Sequence, residues 1–292
     1  LVSLRVTRLI GLARCQDLGR PGWRRFGVPV GGAFDRESYR IALALAKAPE
    51  GAAAVELALG EIELVAEEET GLAWAGAPVA ADVDGVPISD CRLTLGRGQT
   101  LGLRALDAGA RVYLVPAGGL ATSGPLGSVS ESALPHVIIP ALRERLTRMS
   151  IKAQPRSLTH GPFRVVLGPQ PGAEPLLETT WRMAVDSDRR GLRLDGPPLG
   201  LGPELTSEPT CVGAVQAPPG GTPIVLGPDG PTVGGYPKPL VVAAVDRDRL
   251  GQLRPGDSVR FVLIDREEAR SLAAQALAEL TARLARISGG GC

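Results

Sequence analysis

Aromatic residues make up only 3% of this 292-residue chain, histidine occurs twice, and cysteine four times. Each scarcity excludes something. With only His136 and His160, a histidine-based zinc site and a Ser-His-Asp triad both lack their raw material. Cys15, Cys91, Cys211 and Cys292 are widely spaced and form no CxxC pair, which suits a reducing, cytoplasmic compartment better than a disulfide framework. No apolar run approaches the roughly 18 residues of a spanning helix, so no membrane segment is expected. Residues 1–12 alternate like a strand around Arg5 and Arg8 and lack the apolar core of a signal peptide. The formal net charge is only +1, which argues against nucleic acid as a partner. Lysine is the least expected scarcity. Of 32 Lys plus Arg, only positions 47, 152 and 238 are lysine.

Hydrophobic residues reach 44%, and with so few rings the cores must be built from Val, Leu, Ile and Ala. The 38 Gly and 26 Pro punctuate short apolar runs, a pattern that predicts a mainly β chain rich in turns. The length admits two domains or one large β domain. Strands are expected over residues 4–12, 55–65, 72–75, 79–83, 111–116, 163–167 and 258–264. Residues 93–103 read as strand, turn and strand. Asp84-Gly85 is a two-residue hairpin signal. Asp35 reads as the N-cap of a helix that Pro49 stops, a role to be weighed against a chemical one. Residues 135–161, with three prolines and an Arg-rich run, read as an inter-domain connection carrying one helical turn. Residues 246–253 and 266–287 read as helices. A weak echo between residues 95–103 and 253–261 fits two related β domains.

The stretch from Gly227 to Pro239, GPDGPTVGGYPKP, stands out. Four glycines and four prolines in thirteen residues cannot form a helix, and proline cannot donate to a ladder. It is therefore a loop between the runs 223–226 and 240–245. Gly234 and Gly235 imply close backbone approach or positive φ. Tyr236 and Lys238 follow immediately. A chain that writes nearly every cation as arginine keeps a lysine here, and lysine offers a compact point charge that guanidinium does not.

Ten blocks, in order along nearly the whole chain, resemble the biotin-dependent carboxyltransferase (allophanate hydrolase subunit 2) family. Among them are QDLGRPG (16–22), GVPVGGAFDRESYRIA (27–42), AVELALG (54–60), YLVPAGGL (113–120) and LGSVS (126–130). GPQ (168–170), SDRRGLRLDG (187–196), GAVQAPPGGTPIVL (213–226), GGYPK (234–238) and LRPGDSVRF (253–261) complete the set. The family's usual LADxQTTGGYPK stands here as LGPDGPTVGGYPK, so a Gln-Thr pair is replaced.

The resemblance implies a mainly β fold of two tandem cyclophilin-like β-barrel domains, with a few helices, a C-terminal helix and the site in the cleft between the domains. On that pattern residues 1–135 form the first domain, 136–161 the connection, 162–265 the second domain, and 266–292 the helix and tail. It also implies work as a C-type subunit alongside a KipI-like B-type subunit and an A-type subunit, as in 5-oxoprolinase, which opens the 5-oxoproline lactam to glutamate with ATP. The alternatives are biotin-dependent carboxyl transfer to a urea-like or amide nitrogen, and a KipA-like regulatory binding protein. No biotin-attachment lysine is present, since neither Met149 nor Met183 adjoins a lysine, and no Walker A motif occurs. ATP is therefore expected on, or shared with, the partner complex, and no metal is expected. Lys238 is the candidate cation and Tyr236 its companion. Gly234, Gly235, Gln216, Arg20, Asp35 and Asp188 are the candidate substrate-binding residues for a small amide or lactam.

Overall fold

The computed structural model describes residues 4–130, 132–134, 137–138, 145–150, 161–200 and 204–289. Most of the expected connection at 135–161, and its helical turn, lies outside them. Contacts divide the chain into two compact units. The first takes Leu1–Gly19, Asp35–Leu158 and Leu280–Cys292, and the second takes Arg20–Phe34 and Thr159–Glu279. The fold is mainly β, as expected, with one antiparallel-based sheet dominating each unit.

In the first unit the strands are β1 (Leu4–Gln16), β2 (Ala54–Ala66), β3 (Thr70–Gly76), β4 (Val79–Val83), β5 (Val86–Ile88), β6 (Arg92–Leu95), β7 (Thr100–Ala105), β8 (Arg111–Pro116), β9 (Ser132–Ala133) and β10 (Val137–Ile138). Their main path runs β5-β4-β7-β2-β8-β3-β6, with β1 joined to β2, β9 and β10. Asp84 and Gly85 both take positive φ, 52° and 77°, so the expected hairpin closes with Val83 opposite Val86. One detail differs from the sequence reading. β1 runs past residue 12 to Gln16, through register shifts at Thr7 and at Gly11. At the latter a Cβ on Gly60 would meet the Ile10 carbonyl oxygen at 1.9 Å, so only glycine permits the strands to bend past each other. Residues 93–103 form strand, turn and strand as expected, and the two strands take different partners: β6 joins β3, and β7 joins β2 and β4.

Helix α1 (Arg36–Leu45) begins at Asp35, whose carboxylate accepts from the Ser38 N–H at 2.9 Å. It lies against β3 and β8. β8 is buried at every residue because Val112 and Leu114 enter the aliphatic core while Tyr113 turns the other way, its ring edge-on to that of Tyr39 with the centroids 5.9 Å apart. Each large side chain so buried contributes about 1.5–3 kcal/mol.

The second unit holds β11 (Phe163–Leu167), β12 (Trp181–Met183), β13 (Gly191–Asp195), β14 (Glu208–Pro209), β15 (Ala214–Gln216), β16 (Ile224–Leu226), β17 (Val233–Gly234), β18 (Leu240–Val242), β19 (Ser258–Val259) and β20 (Phe261–Leu263). The main sheet runs β19-β12-β13-β16-β15-β18-β11-β20. Its two edge strands are consecutive in sequence, separated only by Arg260, so the sheet curls into a nearly closed barrel. Trp181, Val165, Val215, Val225 and Leu240 fill it. β14 and β17 pair separately as a two-stranded ribbon. Short helices α2 (Glu174–Glu178) and α3 (Arg247–Leu250) join strands, α3 being shorter than the expected 246–253. The long helix α4 (Arg266–Ser288) occupies the expected C-terminal position. No helix among the described residues is long and apolar enough to cross a membrane.

Candidate functional site

The loop from Gly227 to Pro239 is held at nearly every step by backbone bonds. Gly227 N–H donates to Arg190 and Asp229 N–H to Arg189 at its start. Further on, the Gly235 carbonyl accepts from Leu205, the Pro237 carbonyl from Ala217, and the Pro239 carbonyl from Gly168. Prolines suit this loop because here the chain contributes carbonyls, which proline retains. The two adjacent glycines serve close approach rather than positive φ. A Cβ on Gly234 would lie 2.8 Å from Gln216 Nε2, and one on Gly235 would lie 2.7 Å from the Leu205 carbonyl oxygen.

Lys238 is only 3% exposed. Its Nζ lies 2.7 Å from Glu208 Oε1 and donates to the Tyr236 carbonyl at 3.2 Å. Gln170 closes a ring: its Nε2 donates to Glu208 Oε1 at 2.6 Å, while its Oε1 accepts the Lys238 backbone N–H at 2.9 Å. The hydrogen bonds from Lys238 and Gln170 hold the Glu208 carboxyl below its ordinary value. The resulting element is a buried cation on a fixed backbone, able to stabilise negative charge on a ligand oxygen.

The other expected residues are distributed unevenly. Gln216, at the end of β15, is 4% exposed and touches the Gly234 position, and its side-chain amide bonds no described residue. The Pro218-Pro219 turn that follows it is closed by Gly221 N–H donating to the Pro218 carbonyl. Tyr236 uses its carbonyl on Lys238, and the residue is half-buried. Arg20 is fixed through its backbone N–H, which donates to Val30 at 2.6 Å. Asp188 closes its own turn, accepting from the Arg190 and Gly191 N–H groups and from Arg190 Nε. Burial raises its pKa, and these bonds outweigh that and leave it below the ordinary value. Asp35 belongs to the first unit, where it is fully buried as the α1 cap. Its N–H donates to Tyr113 Oη, which donates in turn to Glu56.

A family model, carboxyltransferase domain, subdomain A and B, matches residues 26–263. The chain belongs to this carboxyltransferase family. It is 32% identical to the C subunit of 5-oxoprolinase from Escherichia coli K12, over 91% of this chain and 93% of the relative. It is 30% identical to the C subunit of 5-oxoprolinase from Haemophilus influenzae, over 89% and 91%. It is 27% identical to urea amidolyase of Saccharomyces cerevisiae, over 87% of this chain but only 16% of that much longer protein. Among solved structures, TTHA0988 matches with a TM-score of 0.81 and 33% identity over 90% of this chain. This chain spans only 56% of TTHA0988. The Kluyveromyces lactis urea carboxylase, at 24% identity and a TM-score of 0.82 over 95% of this chain and 29% of that one, shares the fold.

The carboxyltransferase blocks converge within each unit. In the first, Asp17 of the QDLG block accepts from Ser128 Oγ and the Val129 N–H of the GSVS block, and Gln16 accepts from Ser130 Oγ. In the second, Arg189 of the SDRRG block grips Asp229 with two bonds, at 2.6 and 2.9 Å, and donates to the Gly32 carbonyl of the GVPVGG block. Sequence reasoning missed Glu208, Gln170 and Arg24 as site residues. Arg24, in a 3-10 turn at Arg24–Phe26, donates to the carbonyls of Thr210 and Pro231, clamping both sides of the β14–β17 ribbon. Gln170 lies inside the GPQ block and was within reach; Glu208 and Arg24 carry no local signal.

Proposed function

We propose that this carboxyltransferase-family chain is the C subunit of a 5-oxoprolinase-type complex, opening the 5-oxoproline lactam to glutamate with hydrolysis of ATP. The observation that carries the reading is the buried Lys238 ammonium, braced by Glu208 and the Tyr236 carbonyl beside the Gly234-Gly235 backbone. Near-full-length similarity to two proteins named as the C subunit of 5-oxoprolinase supports it.

Opening a lactam breaks the ring C–N bond. Water adds its oxygen to the carbonyl carbon, and the nitrogen leaves with a proton as the free amine. Negative charge grows on the carbonyl oxygen before the bond breaks, and a preorganised cation lowers that barrier. Lys238 is assigned that role, with Gln216 and Tyr236 orienting the small amide. ATP supplies the driving force and is assigned to the partner proteins or shared with them. The start of α1 is a poor phosphate site, because the Asp35 carboxylate already caps it and would repel an anion. The KipI-like B subunit and the A subunit are the proposed partners, and the cytoplasm the proposed location.

A second reading, biotin-dependent carboxyl transfer to a urea-like nitrogen, is favoured by the family's name and by the urea amidolyase relatives. One reconstitution separates the two. The purified chain mixed with its A and B partner proteins should open 5-oxoproline only when ATP is present. Activity only with a biotin carboxylase and carrier, or full activity of the chain alone, contradicts the leading reading.

A further inference from the structure

We propose that Glu208 is a positioning residue that aims the Lys238 ammonium at the ligand. The proposal rests on the reading of Lys238 as the charge-stabilising cation. An ammonium carries three N–H donors. Glu208 Oε1 takes one at 2.7 Å and the Tyr236 carbonyl a second at 3.2 Å; among the described residues nothing accepts the third. With two directions fixed, the third is fixed as well. The lysine stem has several rotatable bonds, and without such bracing the ammonium could turn away from the ligand oxygen.

Glu208 is itself held in register with Lys238. Gln170 donates to the same Oε1 at 2.6 Å and accepts the Lys238 backbone N–H at 2.9 Å, so the carboxylate is tied to the backbone of the lysine it orients. The Glu208 backbone pairs with Gly234 across the ribbon, and Arg24 clamps that ribbon at Thr210 and Pro231. The Glu208 side chain is 37% exposed and that of Lys238 only 4%, so the carboxylate neutralises a buried cation and, tied through Gln170 to the lysine backbone, also fixes its direction. Direction is what the ring supplies.

The scarcity of lysine makes the test clean. Labelling this chain with 15N-lysine marks only three side-chain ammonium groups, at 47, 152 and 238. In the full-length wild type, Lys238 should give a slowly exchanging Nζ signal apart from that of the exposed Lys47. Glu208→Gln keeps an oxygen acceptor and should keep a separate signal, whereas Glu208→Ala should lose it. In the complex with the A and B partner proteins, Glu208→Ala should lower kcat by roughly 10- to 100-fold, as for a misaligned catalytic group, with KM within about twofold. Glu208→Gln should recover part of that loss and keep the wild-type melting temperature within a few degrees, whereas Glu208→Ala, which leaves the buried ammonium without its carboxylate, should melt lower while remaining folded at the assay temperature. An unchanged Lys238 signal in Glu208→Ala, or unchanged kcat there while Lys238→Met is inactive, overturns this proposal alone. Full turnover in Lys238→Met overturns the parent reading and this one with it.

Discussion

A Cβ added to Gly168 would sit 1.8 Å from the carbonyl oxygen of Lys238. The end of β11 thus presses directly on the backbone that presents the lysine, and Gly168 N–H donates to Pro239 at 2.7 Å. The obstacle is backbone, which cannot swing aside as a side chain can. Gly168→Ala should therefore cost about 1–3 kcal/mol, the range for overpacking a tight site, and should displace Lys238. Gly200→Ala, where no described residue lies within 4 Å, is the control. Denaturant midpoints of the two variants check this; equal midpoints contradict it.

Gly234→Ala should behave differently. Its Cβ meets the tip of Gln216, a side chain able to move, so the fold should survive while the amide is pushed from its place. The expected outcome is a near-wild-type melting temperature with a raised KM for the lactam in the reconstituted complex. A wild-type KM would remove Gln216 from the binding site.

Asp246 supplies the clearest pH dependence. It is fully buried and accepts Arg164 through the backbone N–H at 2.8 Å and the guanidinium at 2.9 and 2.5 Å, with Arg249 at 3.1 Å. Burial pushes its pKa up, but the Arg164 bonds outweigh that and leave it below the ordinary 3.8. A depressed folded-state pKa means that the stabilisation is complete above the unfolded value and is lost as pH falls through the folded one. Stability should therefore decline below about pH 4 in the wild type and decline less steeply in Asp246→Asn. Asp246→Ala at neutral pH removes the buried carboxylate that Arg164 and Arg249 share, while Arg249 keeps its bonds to the Gly161 and Pro162 carbonyls, and should cost about 3 kcal/mol. Chemical denaturation followed from neutral pH down through the ordinary carboxyl range measures both. Identical pH slopes in wild type and Asp246→Asn contradict the assignment.

What could be read from the sequence divides along the range of the interactions. The Asp35 cap and the Asp84-Gly85 hairpin rest on contacts within a few residues, so their side chains announce them. Lys238 was legible through its rarity. Glu208 was not, because it meets Lys238 only after a two-residue strand pairs with Gly234, with β15 and β16 intervening in sequence. Arg24 reaches Thr210 from the opposite end of the chain, and no spacing rule connects them. Gly11 and Gly60 hid the length of β1, because the bulge that bends it breaks the alternation that marks a strand.

The central claim is that Lys238 acts as a buried point cation, and Lys238→Arg tests it most directly. Arginine keeps the charge but brings a wider, planar group into a space sized for an ammonium held by Glu208 and Tyr236. Steady-state turnover of 5-oxoproline by the reconstituted complex should fall on the order of 10²-fold, as when a preorganised oxyanion contact is removed. Lys47→Arg, at an exposed position after α1, should be silent. Near-normal turnover of a folded, partner-bound Lys238→Arg would contradict the account.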